Sequence, residues 1–248
     1  RYGSSGSVPS MLDEPARGAA TVVVVATDWP ADVDRAVAGI LADAPEGTSV
    51  VVVANDSADG YDPPADTEVV WTSARLGHAT AINAGIRRAT APVVVLLDAS
   101  VEPTGDFVTP LVAALAAEGV AVAGAFGVTS GDLRTFAEAP AGDVDAIEGY
   151  CLAFRRGDFV TRGPLDEHFR FYRNLDLWWS LVLRDEGEGG PPRRAVAIDL
   201  PLVRHEHREW TQTPEEERSR LSKRNFYRII DRFGRRYDLL LAPRAKGR

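Results

Sequence analysis

The sequence predicts an α/β fold in which helices flank a mostly parallel central sheet. Short, continuously apolar runs alternate along the chain with segments of helical periodicity. Such runs are typical of parallel strands that are buried on both faces. The chain has 248 residues, of which 45% are hydrophobic and 26% are charged. These values fit one sizeable globular domain with a hydrophobic core.

The first strand and helix form a βα unit that begins near Thr21. The run TVVVVAT ends at Thr27 and predicts a buried strand, and a helix follows from about Asp32. Apolar residues of this helix fall on one face, as expected for a helix packed on a sheet. They are Val33, Ala36, Val37, Ile40 and Leu41.

The following segments repeat this unit. SVVVVAND, which ends at Asp56, and the short run EVVWT predict two strands, and PVVVLLDAS predicts another buried strand. A helix containing Ile82, Ile86 and Ala89 separates EVVWT from PVVVLLDAS. The helix after PVVVLLDAS has Val108, Leu111, Val112 and Leu115 on one face. We expect Gly119 to cap its carboxyl end and VAVAGAFGV to form the next strand.

The chain divides into three predicted parts. Residues 1–20 lack periodicity and predict a flexible leader or linker, residues 21–213 form the α/β domain, and residues 214–248 form a C-terminal helical extension. The extension mixes apolar residues such as Ile229 with many arginines, which predicts an amphipathic helix. Its basic face suits an anionic membrane or a partner domain, and the alternative is a helix that packs on the domain.

Composition excludes several classes of protein. A net charge of −8 argues against nucleic acid as the main partner, because such proteins usually carry a basic surface. Cys151 is the only cysteine, so neither an intrachain disulfide nor a cysteine zinc cluster can form. The apolar runs are far shorter than the ~20 residues that span a bilayer. We therefore expect a cytoplasmic protein, with contact at the inner face of the membrane if the basic helix binds lipid.

Polar residues at the strand ends predict a ligand site. In a parallel sheet, ligands bind at the carboxyl ends of the strands, so Thr27, Asp28, Asp56, Asp98 and Ser100 should converge on one crevice. The alternative is that these residues only cap helices and form turns. No Gly-x-Gly-x-x-Gly follows the first strand, which favours a carboxylate-and-metal site over a dinucleotide fold.

The order of segments from Thr21 to about His207 resembles the family-2 glycosyltransferases, inverting enzymes of the GT-A fold. VVVVATDWP and VVVANDSADG are similar to the first two strands of the family. The stretch SARLGHATAINAGIRRATAPVVVLLDASVEP is similar to its most recognisable segment. The resemblance implies nucleotide-binding roles for seven residues, namely Thr27, Asp28, Asp56, Arg75, Gly77, Asn83 and Asp98.

The resemblance also implies a Mg²⁺ or Mn²⁺ ion that neutralises the diphosphate. Asp98 stands at the first position of the family's Asp-x-Asp motif, but the second carboxylate is replaced by Ser100. Ser100 is a weaker ligand, so binding through water, a role for Glu102 and loss of tight metal binding are three open outcomes. In RHEHREW, His205 matches the position of a metal-binding histidine, and we predict Asp98, Ser100 and His205 as the metal residues.

Two later stretches resemble the acceptor-site segments of the family, IEGYCLAFRRGDF and GPLDEHFRFYRNLDLWWSLVLRDEG. The family's Glu-Asp pair before this helix is replaced by Arg173 and Asn174. Neither can act as a carboxylate base, which inversion requires to deprotonate the acceptor hydroxyl. We predict Asp176 as the base, with Glu148 as the alternative. Asp176 also fits a second role, in which it caps the helix N-terminus without any chemistry.

The predicted function is transfer of a hexose from a UDP-, dTDP- or GDP-linked donor to a hydroxyl acceptor, which is a glycan or a lipid-linked acceptor such as a glycolipid. The replacements at Ser100, Arg173 and Asn174 leave an alternative open. In that alternative the chain is a degenerate GT-A domain that binds a sugar nucleotide or a partner domain without catalysis. A nucleotidyltransferase is a weaker third interpretation, because the segments after Glu148 resemble acceptor-site elements.

Overall fold

A computed structural model describes residues 20–26, 28–56 and 62–242 of the chain. The strands are β1 (Ala20–Ala26), β2 (Ser49–Ala54), β3 (Glu68–Trp71), β4 (Val93–Leu97), β5 (Val101–Pro103), β6 (Val120–Gly124), β7 (Gly127–Ser130), β8 (Phe136–Ala139), β9 (Gly142–Val144), β10 (Ala146–Ile147), β11 (Cys151–Arg155), β12 (Arg194–Ala197) and β13 (Leu202–Arg204). The helices are α1 (Pro30–Asp43), α2 (His78–Arg88), α3 (Val108–Ala116), α4 (Arg156–Arg162), α5 (Leu175–Arg184), α6 (Arg208–Gln212) and α7 (Glu215–Phe233). A single 3₁₀ turn, Tyr237–Leu239, follows α7 in the described part of the chain.

The central sheet has eight strands in the order β3-β2-β1-β4-β11-β6-β12-β9. Strands β3, β2, β1 and β4 are parallel to one another, and β12 is parallel to β6. Strand β11 runs antiparallel between β4 and β6, and β9 is an antiparallel edge strand. The predicted α/β fold with a mostly parallel sheet is therefore confirmed.

Two hydrophobic clusters cover the two faces of this sheet. Alternate residues of β1 belong to different clusters: Val23 packs with α2 and α5, whereas Val22 and Val24 pack with α1 and α3. This alternation follows from the two-residue period of a strand. It explains why the first strand reads as an unbroken run of valines, since both of its faces are buried.

Helix α2 lies very close to the sheet at Gly85. A Cβ atom built at Gly85 would lie 2.4 Å from Cγ1 of Val23 and 2.9 Å from Cγ2 of Val53. Such distances are impossible for real atoms, so glycine allows α2 to pack directly on β1 and β2. The helix therefore places its N-terminal residue, His78, near the carboxyl ends of these strands.

Two details of the sequence interpretation are wrong. The run VAVAGAFGV forms two strands, because the backbone turns through a left-handed conformation at Phe126 (φ 58°), and β6 and β7 belong to different sheets. Gly119 does not cap α3, whose capping residue is Ala117. Gly119 lies further along the turn, with φ 73°.

The C-terminal helix α7 packs on the domain. Ile229 and Phe233 are buried in the cluster that contains α5, and Nδ2 of Asn225 donates hydrogen bonds to the carbonyls of Phe171 and Arg173, each at 2.8 Å. Beyond the helix, the N–H of Leu241 donates to Oδ1 of Asp145 at 2.8 Å. These contacts match the alternative in which the C-terminal helix packs on the domain. The residues that line the outer face of α7 are mostly basic.

Within the described ranges, none of the helices combines the length and apolar character that crossing a bilayer requires.

Candidate active site

A crevice opens at the carboxyl ends of β1 and β4, where the fold places ligands. It is lined by Leu97, Asp98 and Ser100 at the end of β4 and by His78 at the start of α2. Two segments that are distant in sequence complete the lining, Gly149 before β11 and His207 to Glu209 at the start of α6. An adjoining pocket, here called the inner part of the crevice, shares His78, Asp98 and His207 with it and is also lined by Glu148, Asp176 and Trp179.

Asp98 lies at the centre of this crevice. Its Oδ1 accepts hydrogen bonds from the N–H of Ser100 at 2.8 Å and from the Ser100 hydroxyl at 2.5 Å, and its Oδ2 lies 3.4 Å from Nε2 of His207. Burial alone would raise the pKa of Asp98, but the contacts with His207 and Ser100 outweigh it and lower the pKa to about 2. Asp98 is therefore ionised at neutral pH, with Oδ1 held by Ser100 and Oδ2 directed to His207.

His207 is fixed by contacts on each side of its ring. The ring stacks on Tyr172 with centroids 4.1 Å apart, and Nδ1 accepts a hydrogen bond from the N–H of Trp210 at 3.3 Å. Nδ1 is thus an acceptor, which places the proton on Nε2, toward Asp98. Burial opposes the charged form of His207, but the Asp98 carboxylate outweighs burial and raises the pKa.

His205 lies elsewhere. Its N–H donates to the carbonyl of Ser100 at 2.7 Å, but its Nε2 pairs with Oε2 of Glu102 at 2.6 Å. The side chains of His205 and Glu102 are not among the residues that line the crevice. The structure therefore brings His207, and not the predicted His205, to Asp98, and Glu102 does not replace the missing carboxylate at Ser100.

Glu148 lies in the inner part of the crevice. Burial, followed by repulsion from Asp176, raises the pKa of Glu148 to about 7, while Arg173 and Arg204 oppose the shift. Within the described residues its Oε2 is buried without a hydrogen-bond partner, and the nearest cation is Nη1 of Arg204 at 4.0 Å. A carboxylate with a pKa near neutrality and an unoccupied acceptor atom is suited to proton transfer.

Asp176 lies beside Glu148 in the first turn of α5. Its Oδ2 accepts the N–H of Gly149 at 2.8 Å, and its Oδ1 accepts the N–H of Leu177 at 2.9 Å. Burial raises the pKa of Asp176, and these hydrogen bonds oppose the shift. Asp176 thus stabilises the helix start, as in the non-catalytic interpretation, and also holds the segment that carries Glu148.

Three of the predicted nucleotide residues, Asp28, Asp56 and Arg75, lie with Glu209 at the outer edge of the crevice. Arg75 pairs with Asp28 at 2.6 Å, and the Asp28 hydrogen bond, together with the charges of Glu209 and Asp56, raises the pKa of Arg75. Asp56 follows β2 with φ 61°, and its N–H donates to the Thr72 hydroxyl at 3.0 Å. Thr27 lies outside the described residues.

Asn83 was predicted to contact the nucleotide, but it is not among the residues that line the crevice. Its side chain is fully buried and makes two hydrogen bonds with Leu165: Nδ2 donates to the carbonyl at 2.9 Å, and Oδ1 accepts the N–H at 3.0 Å. Gly77 has a similar structural role, since a Cβ there would lie 3.0 Å from Cγ of Arg170. Both residues position the chain between β11 and α5.

Several residues of the crevice were not predicted from the sequence. They are His78 and Glu209, which line the crevice near Asp98, and Tyr150 and Tyr172, which line its inner part. Burial lowers the pKa of His78 to about 4, so this ring is neutral at pH 7. The only sequence signal for Glu209 was its position two residues after His207, and the aromatic residues carried no signal that separates a site from a core.

The sheet order, the crevice at the end of β4 and the acidic residue at its centre define a GT-A type α/β fold. The chain belongs to glycosyl transferase family 2, whose family pattern matches residues 21–173. The resemblance inferred from the sequence is therefore confirmed. No curated protein sequence matches the chain significantly.

Solved structures of similar fold include three glycosyltransferases. GalNAc-T7, crystallised with UDP, GalNAc and Mn²⁺, superposes with a TM-score of 0.70 at 15% identity and covers 88% of this chain and 49% of its own. The mannosyltransferase PcManGT from Pyrobaculum calidifontis, in complex with GDP-Man and Mn²⁺, has a TM-score of 0.56 at 21% identity, covering 75% and 56%. TarS residues 1–349 from S. aureus have a TM-score of 0.57 at 11% identity, covering 86% and 72%.

These likenesses establish the fold alone, because all three identities are low. The present chain spans about half the length of the GalNAc-T7 and PcManGT chains that it matches.

Proposed function

We propose that the chain is an inverting glycosyltransferase, which moves a sugar from a nucleoside diphosphate donor to a hydroxyl acceptor. One observation carries this proposal: Asp98 and His207 line both of two adjoining pockets, and Glu148 and Asp176 line the second of them. The first pair suits the diphosphate and its metal ion, and the second suits the acceptor hydroxyl. Family membership supports the reaction class.

The side chains of Asp98 and His207 fit a Mg²⁺ or Mn²⁺ ion that the diphosphate of the sugar donor also binds. Among the described residues there is no group of three or more histidine, cysteine, aspartate or glutamate side chains placed to hold a metal. Asp98 and His207 supply two ligand atoms 3.4 Å apart, and such ions are commonly held by one or two protein groups together with phosphate oxygens and water. The Ser100 hydroxyl, which donates to Asp98, orients this carboxylate.

Metal binding at His207 requires a change of tautomer. Nε2 can bind a metal only when the ring proton lies on Nδ1, where the N–H of Trp210 now donates at 3.3 Å. The same N–H also donates to the carbonyl of His207 at 3.0 Å. Trp210 therefore keeps a partner when Nδ1 becomes a donor. When bound, the ion neutralises the charge that develops on the leaving diphosphate.

Glu148 is the proposed general base. Its carboxylate takes the proton of the acceptor hydroxyl, and the acceptor oxygen forms a bond to the anomeric carbon of the donor sugar from the face opposite the diphosphate. The bond between that carbon and the diphosphate oxygen breaks, and its electron pair stays on the diphosphate. Asp176 is proposed to hold Gly149, and with it Glu148, through the 2.8 Å hydrogen bond to its Oδ2.

The donor is proposed to be a UDP-, dTDP- or GDP-linked hexose. Support comes from the UDP and GDP-Man in the titles of two structures of similar fold and from the position of Asp28, Asp56 and Arg75 at the outer edge of the crevice. We place the nucleoside at this edge, where the Arg75 charge is close to both aspartates.

The experiment is a nucleotide-release assay with a panel of UDP-, dTDP- and GDP-sugars and Mn²⁺. Wild-type protein should release the nucleoside diphosphate from one class of donor, and Asp98→Ala should lose at least about 100-fold in rate, because it removes both a metal ligand and the partner of His207. The control is Asp34→Ala, an exposed carboxylate of α1, which should retain the wild-type rate.

Equal rates for wild type and Asp98→Ala would refute the proposed site. Tight binding of a nucleotide sugar by wild-type protein, with neither release nor transfer, would instead favour the non-catalytic GT-A alternative.

A further inference from the structure

The inner part of the crevice forms an apolar recess, which we call the acceptor recess. Its walls are Ile82, Leu152, Leu165, Leu175, Tyr172 and Trp179. Four of these, the three leucines and Trp179, are at most 3% exposed. The recess therefore offers a ligand mainly hydrocarbon and aromatic surface. Its charged and polar lining residues are His78, Asp98, Glu148, Arg173, Asp176 and His207.

Two polar atoms of the recess have no hydrogen-bond partner within the part of the chain that the structure describes. They are Oε2 of Glu148, which is an acceptor when the carboxylate is ionised, and Nε1 of Trp179, which is a donor only. The indole of Trp179 is 1% exposed. A buried indole N–H normally has a partner, and leaving a buried donor and a buried acceptor unpaired is unfavourable.

Glu148 and Trp179 both line the recess, and the backbone of α5 relates their positions. Asp176 and Ser180 are one helical turn apart and face the segment before β11, where Asp176 accepts the N–H of Gly149 at 2.8 Å and the Ser180 hydroxyl accepts the N–H of Ile147 at 3.1 Å. Glu148 lies between these two anchored residues. Trp179, three residues after Asp176, shares this face of α5.

We propose that the acceptor recess binds an acceptor whose reacting hydroxyl is carried on an apolar ring or chain, and that the hydroxyl bridges Trp179 and Glu148. The hydroxyl oxygen accepts the indole N–H, and the hydroxyl hydrogen is donated to Oε2 of Glu148. Trp179 is thus a binding residue that sets the specificity for the acceptor, and this inference rests on the proposed role of Glu148 as base.

The walls of the recess disfavour a fully hydroxylated sugar at this position. Such a sugar carries a hydroxyl on almost every carbon, and the hydroxyls that face the leucine and isoleucine side chains would leave water without a new partner. Burying a hydroxyl without a hydrogen-bond partner is costly, whereas burying a ring or alkyl chain is favourable. One hydroxyl on an apolar body matches one unpaired donor and one unpaired acceptor.

The test measures binding of three small probes to the full chain in the presence of Mn²⁺ and UDP or GDP, by ligand-observed NMR. The probes are p-cresol, p-xylene, which has the same shape but lacks the hydroxyl, and myo-inositol, which is hydroxylated on every carbon. We expect p-cresol to bind more tightly than both of the others. Trp179→Phe should weaken p-cresol roughly 3- to 10-fold, which corresponds to one hydrogen bond, and should leave p-xylene unchanged.

Inositol binding as tight as that of p-cresol, equal affinities for p-cresol and p-xylene, or an unchanged p-cresol affinity in Trp179→Phe would overturn the inference. If Trp179→Phe does not fold, the wild-type ratio of p-cresol to p-xylene affinity decides. The outcome is separable from that of the proposed function, since probe binding needs no donor sugar, whereas the nucleotide-release assay needs no acceptor.

Discussion

Nε2 of His207 lies 3.4 Å from Oδ2 of Asp98, although 108 residues, 99 to 206, lie between them in the chain. His205 and His207 are two residues apart, so the sequence alone allowed both to point to the same side of an extended chain. In the structure the chain turns into α6 at His207, and the two rings separate. His205 pairs with Glu102, and His207 faces the crevice.

The first prediction concerns this separation. His207→Ala should weaken Mn²⁺-dependent binding of UDP or GDP by at least about tenfold, because it removes one of the two protein ligands. His205→Ala is the matched control and should bind like wild type, since its ring contacts Glu102 outside the crevice. Calorimetric titrations with and without Mn²⁺ measure the difference. A loss in His205→Ala as large as that in His207→Ala would contradict the assignment.

The second prediction is the pH dependence of transfer. Glu148 acts as a base only when ionised, and its pKa is raised to about 7. The transfer rate should therefore rise about tenfold per pH unit below pH 7 and level off above it. A rate profile from pH 5 to 9, measured with the donor that the release assay identifies, would show this limb, and a profile that is flat between about pH 5 and 7 would contradict it.

The third prediction uses the two neighbours that shift the pKa of Glu148 in opposite directions. Asp176 raises this pKa and Arg173 lowers it. Asp176→Asn should move the acidic limb to lower pH, and Arg173→Gln should move it to higher pH, while both variants keep measurable transfer. Glu148→Gln should lose transfer by about 100-fold or more. Complete loss in Asp176→Asn, with transfer retained in Glu148→Gln, would make Asp176 the base.

The sequence predicted the central half of the fold well, for a physical reason. Strands β1, β2 and β4 are buried on both faces, so their apolar runs are unbroken and unlike any neighbouring segment. The break between β6 and β7 was missed, because the left-handed residue there is Phe126, not a glycine or asparagine. A phenylalanine carries no local signal for such a turn.

The strand ends and the family resemblance predicted only part of the site. Asp98 follows directly from its position after β4, whereas His207 and Glu148 reach the crevice through long-range packing. Asn83 shows the opposite error: its place in a motif suggested a ligand contact, but its amide holds Leu165, 82 residues away in sequence. In the sequence, a polar helix residue that binds a ligand looks the same as one that holds a neighbouring loop. Only the hydrogen-bond partners in the structure distinguish the two roles.

The fourth prediction tests the close packing of α2 on the sheet. Gly85→Ala should destabilise the protein by about 1–3 kcal/mol or more, because the added methyl group would overlap Val23 and Val53. Gly157→Ala in α4 is the control, since nothing lies within 4 Å of its added Cβ, and it should stabilise by roughly 0.4–1 kcal/mol. Urea unfolding measures both, and an unchanged midpoint for Gly85→Ala would contradict the packing.

The fifth prediction separates a structural Asn83 from a nucleotide-binding one. Asn83→Ala leaves the buried N–H and carbonyl of Leu165 without the partners seen at 3.0 Å and 2.9 Å, so the free energy of unfolding should fall by about 2–5 kcal/mol. Arg88→Ala on the same helix removes only an exposed pair with Glu68 and should change it by less than about 1 kcal/mol. The nucleotide affinity of the folded Asn83→Ala protein, measured well below its melting temperature, should equal that of wild type. A variant that is as stable as wild type but has lost nucleotide binding would show that Asn83 binds the nucleotide, because loss of a structural hydrogen bond lowers stability first.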